Sequence, residues 1–212
     1  VDRRHDYNAN TSYARYSVTS NLTLKPHKTT EIKLGIQGYL ANANYPAASN
    51  STIFGAAFAT QPNYIFPVYP NGYIADKPSG TVTNPYAILN EQGYANQWRS
   101  QLFSNLNLTQ QLPWITEGLS ISGMFSFDIY SYTSNRYTRK PTTFMALGRD
   151  EDGYLVYQQT ATGSEALSYG RSSSGNREIY LEASINYKRS FKEHDVSGML
   201  LYNQSDELNT AA

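Results

Sequence analysis

The chain has 212 residues, no cysteine, and 17 acidic residues balanced by 17 basic ones. The zero net charge gives no basis for nucleic-acid binding, and the lack of cysteine excludes disulfides and thiolate metal ligands. Mean hydropathy is −0.55 and no run of about 18 apolar residues occurs, so no transmembrane helix is predicted. A membrane β-barrel stays compatible with this composition, because polar and apolar residues alternate along its strands.

The first predicted hairpin spans Tyr13 to Leu40. Its arms, Tyr13–Lys25 and Glu31–Leu40, alternate apolar and polar residues, which predicts strands with one apolar and one polar face. The turn between them includes Pro26, which is expected there because proline has no N–H to donate to a neighbouring strand. The apolar positions are Ala14, Tyr16, Val18, Leu22, Leu24, Ile32, Leu34, Ile36 and Leu40.

A long, proline-rich insert follows over residues 42–96. Within it, Ser51–Thr60 predicts a short helix capped by Ser49 or Ser51. Two turn signals come next, Pro70-Asn71-Gly72 and Pro78-Ser79-Gly80. A loop of this length argues against a compact soluble domain but is typical of the external loops of outer-membrane barrels.

The central hairpin, Gln97–Tyr132, has the most regular pattern. Its arms flank a turn at Leu112–Gly118 and have about 13 residues each, against about 5–6 in an average strand. At about 3.3 Å per residue and a tilt of about 45°, an arm covers about 30 Å, the thickness of the hydrocarbon layer. On the polar face we expect lumen-facing side chains, namely Arg99, Gln101, Asn105 and Asp128.

A second long insert covers residues 135–176. Tyr154–Thr160 and Glu165–Tyr169 predict short strands that extend beyond the membrane. The turn Asp150–Gly153 has carboxylates that suit calcium, but the other ligands of a calcium loop are missing, so a solvated turn is favoured and no metal site is predicted.

A third hairpin pairs Arg177–Tyr187 with Val196–Gln204 across a turn at residues 190–195. No strand is predicted over Ser205–Ala212. Aromatic residues gather near the ends of the predicted strands, which is typical of the interfacial girdle of a membrane barrel.

Together these elements predict an all-β fold. Three hairpins with short turns, separated by two long inserts, indicate a segment of an antiparallel transmembrane β-barrel with about six long strands and long extracellular loops. A soluble β-sandwich with large loops is the alternative. Because single-chain barrels have at least about 8 strands and an open edge in lipid leaves backbone groups unsatisfied, we expect residues 1–212 to be a portion of a larger barrel or to be completed by other chains. No signal peptide or initiator methionine begins the sequence, so export requires a processed N-terminus or a longer chain.

Three stretches resemble SusC/RagA-type TonB-dependent transporters. Residues 84–90, NPYAILN, followed by Gly93-Tyr94, resemble the NPxAxL…GY stretch of that family. Residues 15–22, RYSVTSNL, resemble its RYxxRxNL strand but have Thr19-Ser20 in place of the usual basic residue. Residues 67–72, PVYPNG, are similar to its PxxxPdG segment. The resemblance covers most of residues 12–132 and depends on the order and spacing of these motifs.

The resemblance implies a barrel of about 22 strands in the bacterial cell outer membrane, with an N-terminal plug. Such a protein imports oligosaccharides or peptides with energy from the TonB complex, together with a SusD-like surface lipoprotein that caps the external loops. The plug is absent from this sequence, so coupling to the TonB complex would act through that absent region. The alternatives are a passive porin-like channel and a soluble β-rich glycan-binding domain.

The first insert provides the candidate contacts with a substrate or with the lipoprotein lid. Tyrosine combines an amphipathic ring with a small entropic cost of ordering, which suits binding of sugars or peptides. Packing of the loop onto its neighbours explains the same residues equally well. The candidates are Tyr64, Phe66, Tyr69, Tyr73 and Tyr86.

No enzymatic activity and no cofactor are predicted. The three histidines, His5, His27 and His194, lie in a charged lead-in and in two predicted periplasmic turns. Nothing in their spacing indicates a nucleophile, base and orienting carboxylate meeting at one rim.

Overall fold

The computed structural model describes residues 11–211 except 62, 64 and 80, and it is mostly antiparallel β-sheet, which confirms the predicted all-β class. The elements in chain order are β1 (Ser12–His27), β2 (Thr30–Pro46), α1 (Asn50–Ala59), β3 (Ile74–Ala75), α2 (Pro85–Asn90), β4 (Gly93–Gln111), β5 (Leu119–Thr138), β6 (Thr143–Arg149), β7 (Leu155–Ala161), β8 (Ser168–Phe191) and β9 (His194–Ala211). No helix among the described residues is long and apolar enough to cross a membrane.

Six strands form one sheet in the order β1-β2-β4-β5-β8-β9. Each strand lies beside the next long strand in the sequence, so the sheet is an up-and-down meander. Within the described residues β1 and β9 each have one neighbour, and the sheet is open. The strands are long, from 16 residues in β1 to 24 in β8.

Short connections join these strands in pairs. β1 and β2 are joined through Lys28-Thr29, β4 and β5 through 112–118, and β8 and β9 through Lys192-Glu193. Lys192 has a positive φ of 52°, which such a tight turn requires. The three predicted hairpins are therefore present, but their arms are longer than the predicted length, because the strands continue into the regions predicted as inserts.

Two local predictions were wrong. Pro26 lies in β1 rather than in the turn, which is tolerated because β1 has a single neighbour in the described sheet. Residues 205–211 belong to β9, where Asp206 pairs with Ile179 and Ala211 with Ser174. The side chains of this stretch are mostly polar and show no alternating pattern. Strand pairing requires only backbone N–H and C=O groups, and the long strand β8 provides them.

The side-chain contacts between strands show which residues share a face of the sheet. The hydroxyls of Thr109 on β4 and Ser122 on β5 are 3.4 Å apart, and the Arg99 guanidinium lies 5.3 Å from the centre of the Tyr132 ring. Odd-numbered residues of β4 and even-numbered residues of β5 therefore share one face. The four residues predicted for the polar face all lie on it: Arg99, Gln101, Asn105 and Asp128.

The opposite face carries large apolar side chains that are exposed. A Cβ on Gly35 would lie 2.8 Å from Oδ1 of Asn105, which places Gly35 on the polar face and the even-numbered residues of β2 on the apolar one. The apolar face continues to the last hairpin, where Ile185 and Leu200 pair directly. The exposed fractions on β2, β4 and β5 range from 40% to 64% for Leu40, Leu106, Leu108, Ile121, Phe125 and Ile129.

The chain divides into two compact units. The sheet unit consists of residues 14–42, 98–133 and 173–212 and contains most of the six-stranded sheet. Among the described residues, the loop unit consists of residues 11–13 together with Ala43–Gln97 and Ser134–Ser172. Most of the buried apolar residues belong to the loop unit: Ala43, Ala47, Ala75, Ala87, Ile88 and Ala95.

The loop unit has its own secondary structure. β6 lies between β3, which is parallel to it, and β7, which is antiparallel to it. β7 confirms a strand near the predicted Tyr154–Thr160. α1 matches the predicted helix, and its N-cap is Ser49, whose hydroxyl accepts from the N–H of Thr52 at 3.2 Å. α2 was not predicted, although an Asn N-cap followed by Pro at the first helical position is a known start signal. Of the predicted strand Glu165–Tyr169, only residues 168 and 169 lie in a strand, at the beginning of β8.

Candidate functional site: an aromatic cavity in the loop unit

A buried polar network organises the loop unit. The side-chain amide of Asn84 donates to the carbonyl oxygens of Phe66, Pro67 and Ala75 at 3.3, 2.8 and 2.7 Å. Its Oδ1 accepts from the N–H of Tyr86 at 2.9 Å and so caps α2. Because Asn84 is 1% exposed, each of these bonds is shielded from water, and the network holds three separate segments in register.

Asp76 is the second member of this network. Its carboxylate accepts from the backbone N–H groups of Lys77 at 2.9 Å, Thr83 at 2.7 Å and Asn84 at 3.4 Å, and from the Thr83 hydroxyl. The side chain is buried. A carboxylate with this many donors has its lone pairs occupied, so Asp76 acts as an anchor for the chain around it.

An aromatic cluster lies beside the network. Tyr73 stacks on Phe144 of β6 with ring centres 4.0 Å apart and an interplanar angle of 13°. Tyr157 of β7 makes edge-to-face contacts with Tyr73 and Tyr69, with ring centres 5.4 and 5.0 Å apart. Phe66 lies 6.4 Å from Tyr69 and is 59% exposed. The first insert is therefore fixed to the three-stranded sheet by aromatic contacts, while Phe66 presents its ring at the surface.

Tyr69 makes a polar contact in addition to its ring contacts. β3 ends at Ala75, which pairs with Phe144 of β6. Two residues further along β6, the N–H of Ala146 donates to the Tyr69 hydroxyl at 2.9 Å. The phenol thus supplies an acceptor to β6 just past the end of its short neighbouring strand.

A cavity of about 590 Å³ opens next to the cluster. This volume is within the range of small-molecule sites. Phe66 and Tyr69 line it together with aliphatic side chains, among them Ile65, Met145 and Leu155. Its charged lining residues are Asp76, Lys77 and Arg149.

The sequence-predicted candidates are partly brought together. Phe66 and Tyr69 line the cavity, and Tyr73 belongs to the adjoining cluster. Tyr86 lies on α2, and Tyr64 falls outside the described residues. Tyr69 and Tyr73 pack the loop, and Phe66 and Tyr69 border the cavity, while contact of these residues with a substrate or a lid protein stays a prediction.

Sequence reasoning missed the partners from the second insert. Phe144 and Tyr157 complete the cluster, and Arg149 and Met145 line the cavity. These residues are more than 60 positions away from the cluster and cavity residues of the first insert (65–77), and no local pattern couples the two inserts. The one local signal in this region is Asn84, because an asparagine directly before proline indicates a helix cap with a hydrogen-bonding side chain.

A second aromatic group lies where β4, β5 and β8 pass through the loop unit. Tyr94 and Tyr137 stack at 4.9 Å, and Tyr169 lies 5.2 Å from Tyr137 and donates to Oδ1 of Asn135 at 3.0 Å. Burial raises the pKa of the Tyr94 hydroxyl, and the neighbouring Tyr137 adds to the effect. The Tyr94 hydroxyl in this stack therefore stays neutral at neutral pH.

A buried ion pair fixes the same region. The Arg139 guanidinium contacts a carboxylate oxygen of Glu91 at 2.9 Å, and its Nε donates to the Glu91 carbonyl at 3.0 Å. The two side chains are 11% and 4% exposed. Gly93 starts β4 here with a φ of +101°, and a Cβ would lie 2.0 Å from the Tyr137 carbonyl oxygen, so the close approach of these strands requires glycine.

The remaining candidates for chemistry have structural roles. Asp150 accepts from the N–H groups of Asp152 at 3.1 Å and Tyr154 at 2.7 Å, as expected of a solvated turn. His27 contacts the Thr29 hydroxyl at 2.8 Å in the first hairpin turn, and His5 lies outside the described residues. Among the residues that the structure describes, no group of three or more metal-ligating side chains is found.

The comparisons with known proteins identify no family. No protein-family model matches the chain, and no curated protein matches it in sequence. The resemblance to SusC/RagA-type transporters therefore stays a prediction from the motifs described above.

Proposed function

We propose that this chain is part of an outer-membrane β-barrel that imports oligosaccharides or peptides in the manner of a SusC-type transporter. A SusD-like surface lipoprotein is the proposed lid, and the TonB complex is proposed to supply energy through a plug region outside this sequence. The observation that carries the proposal is the sheet face with large apolar side chains exposed on strands long enough to cross a bilayer.

The exposed apolar face favours lipid over water. Soluble monomers rarely expose a contiguous apolar patch larger than a few hundred Å². Here adjacent strands expose leucine, isoleucine and phenylalanine on one face. Each buried Å² of such surface contributes about 25 cal/mol, so covering this face is strongly favourable. Hydrocarbon chains cover it without any specific partner surface.

The lengths and connections of the strands support the same proposal. β4 has 19 residues and β5 has 20. A tilted strand needs about 9–11 residues to cross a membrane, so both strands are long enough. In an up-and-down sheet, every second connection lies at the same end, so the three short turns share one end of the sheet. Outer-membrane barrels have short turns on the periplasmic side and long loops outside.

The open edges support a larger barrel. β1 and β9 each pair on one side within the described sheet. In hydrocarbon, the unpaired N–H and C=O groups of an edge strand cost several kcal/mol each, so further strands must cover them. We therefore propose that the six strands form one part of the wall of a larger barrel.

Import, as opposed to passive diffusion, is tested in whole cells. The full-length gene is deleted, and uptake of labelled oligosaccharides and peptides is measured in wild-type, deletion and TonB-deficient strains, with the protein located by membrane fractionation. We expect an outer-membrane protein whose uptake activity disappears in both mutants. Uptake that persists without TonB would assign a porin-like channel instead, and recovery in the soluble fraction without detergent would overturn the membrane proposal.

A further inference from the structure

The charged side chains that line the loop-unit cavity differ in how many hydrogen bonds they already make within the protein. Asp76 is 3% exposed, and its carboxylate already accepts from three backbone N–H groups and the Thr83 hydroxyl. Lys77 and Arg149 are exposed and line the same cavity. The formal charges of these three residues sum to +1, and because Asp76 is used within the protein, the charge available to a ligand is that of the two cations.

Lys77 and Arg149 have N–H groups available to donate hydrogen bonds to a ligand. Arg149 donates from Nη1 to the Gly153 carbonyl at 2.6 Å, which uses one of the five N–H groups of a guanidinium and holds the side chain in place. No ion pair is found for Lys77 or Arg149 among the described residues. A ligand carboxylate is the acceptor that both groups suit, and charge-assisted hydrogen bonds to it are stronger than neutral ones.

The rest of the lining is apolar. Phe66 and Tyr69 provide aromatic surface, and Ile65, Met145 and Leu155 provide aliphatic surface. The Tyr69 hydroxyl accepts from the Ala146 N–H, so its own O–H is the main donor that it has left for a ligand. A sugar ring in this cavity would lose water from several hydroxyls that find few partners, which costs free energy for every hydroxyl left unpaired. An apolar side chain has no such requirement.

We infer that the cavity binds short peptides that end in an apolar residue with a free carboxylate, the side chain against Phe66 and Tyr69 and the carboxylate at Lys77 and Arg149. That these peptides are transport substrates rests on the proposed function, which names both oligosaccharides and peptides as substrate classes. The cavity selects peptides from these two classes. Binding itself is a property of the cavity and does not depend on transport.

The test is calorimetric titration of the full-length protein in detergent with N-acetyl-Gly-Gly-Phe and with its C-terminal amide. The acetyl group removes the peptide's positive charge, so the pair differs in the carboxylate alone. We expect the acid to bind about tenfold more tightly than the amide, as a hydrogen bond to a charged group implies. Equal affinities would overturn the inference, as would tighter binding of maltotriose or of trigalacturonate than of the acid.

Variants at the two cations locate the contact. Lys77→Gln and Arg149→Gln change exposed side chains, and each should reduce the affinity for the acid by about fivefold or more while the affinity for the amide stays the same. Lys140→Gln, an exposed lysine of the same unit outside the cavity lining, is the matched control and should change neither affinity. A preference for the acid that survives both cavity variants would contradict the assigned site.

The binding test and the transport test fail independently. A protein that binds the acid but shows no TonB-dependent uptake retains the cavity assignment and loses the transporter proposal. A protein that imports substrate but does not distinguish acid from amide retains the transporter proposal and loses the peptide assignment.

Discussion

The backbone N–H of Asn84 donates to the carboxylate of Asp76 at 3.4 Å, and both side chains are buried in the loop unit. Asn84 binds the carbonyl oxygens of Phe66, Pro67 and Ala75, whereas Asp76 binds the N–H groups that follow it and precede α2. The pair thus fixes the backbone on which the aromatic cluster and the cavity are built.

Asn84→Ala should loosen this backbone. The variant leaves buried carbonyl oxygens and the N–H of Tyr86 without their partner and removes a helix cap, which together cost about 2–4 kcal/mol. Hydrogen exchange of residues 66–86 should become faster by an order of magnitude or more. Asn71→Ala is the matched control, because exposed Asn71 accepts a single local bond from Tyr73, and its effect should stay below about 1 kcal/mol. Equal effects of the two variants would show that the buried network is not what stabilises the loop unit.

Tyr69→Phe should expose the role of one hydroxyl. The ring contacts with Phe66 and Tyr157 remain, but the N–H of Ala146 loses its acceptor, at a cost of about 1 kcal/mol. The exchange rate of the Ala146 amide, measured by NMR, should rise several-fold. Tyr73→Phe retains the stack on Phe144 and should leave that amide unchanged. An Ala146 amide that is indifferent to Tyr69→Phe would contradict the hydrogen bond.

Arg139→Met should strongly destabilise the loop unit. It leaves the carboxylate of Glu91, which is 4% exposed, without its ion-pair partner, and removing one member of a buried pair costs about 3–5 kcal/mol. The free energy of unfolding in urea measures the loss. Arg189→Met breaks the exposed pair with Glu117, at 3.0 Å, and should cost about 0–1 kcal/mol. Similar losses of unfolding free energy in the two variants would mean that burial does not make the Glu91–Arg139 pair more stabilising than the exposed pair.

The sequence predicts the sheet better than it predicts the site. Alternation of side chains in the central hairpin, with Leu106 and Asn105 on opposite faces, follows from the period of two that any strand imposes. The end of β9 was missed because residues 205–211 are polar and their pairing depends on β8. The cavity was missed because Tyr69 and Arg149 are distant in sequence and meet through the pairing of β3 with β6. Long-range pairing of this kind leaves no local periodic pattern.

Leu106→Arg tests the assignment of the sheet faces. If Leu106 faces lipid near the middle of the membrane, arginine there should cost about 2–4 kcal/mol of folding free energy in lipid vesicles. Asn105→Arg, one residue away on the polar face, should cost much less, since a charged side chain on that face does not enter hydrocarbon. A larger cost at Asn105 than at Leu106 would reverse the faces.

The central claim, that the apolar face lies against lipid, is tested most directly by spin labels at residues 105 and 106. The chain has no cysteine, so Leu106→Cys and Asn105→Cys each give one labelling position within it. In the full-length protein in lipid vesicles, the label at 106 should collide more with oxygen, which concentrates in hydrocarbon, and the label at 105 more with a water-soluble nickel chelate. Labels at both positions that favour the nickel chelate would contradict the membrane assignment.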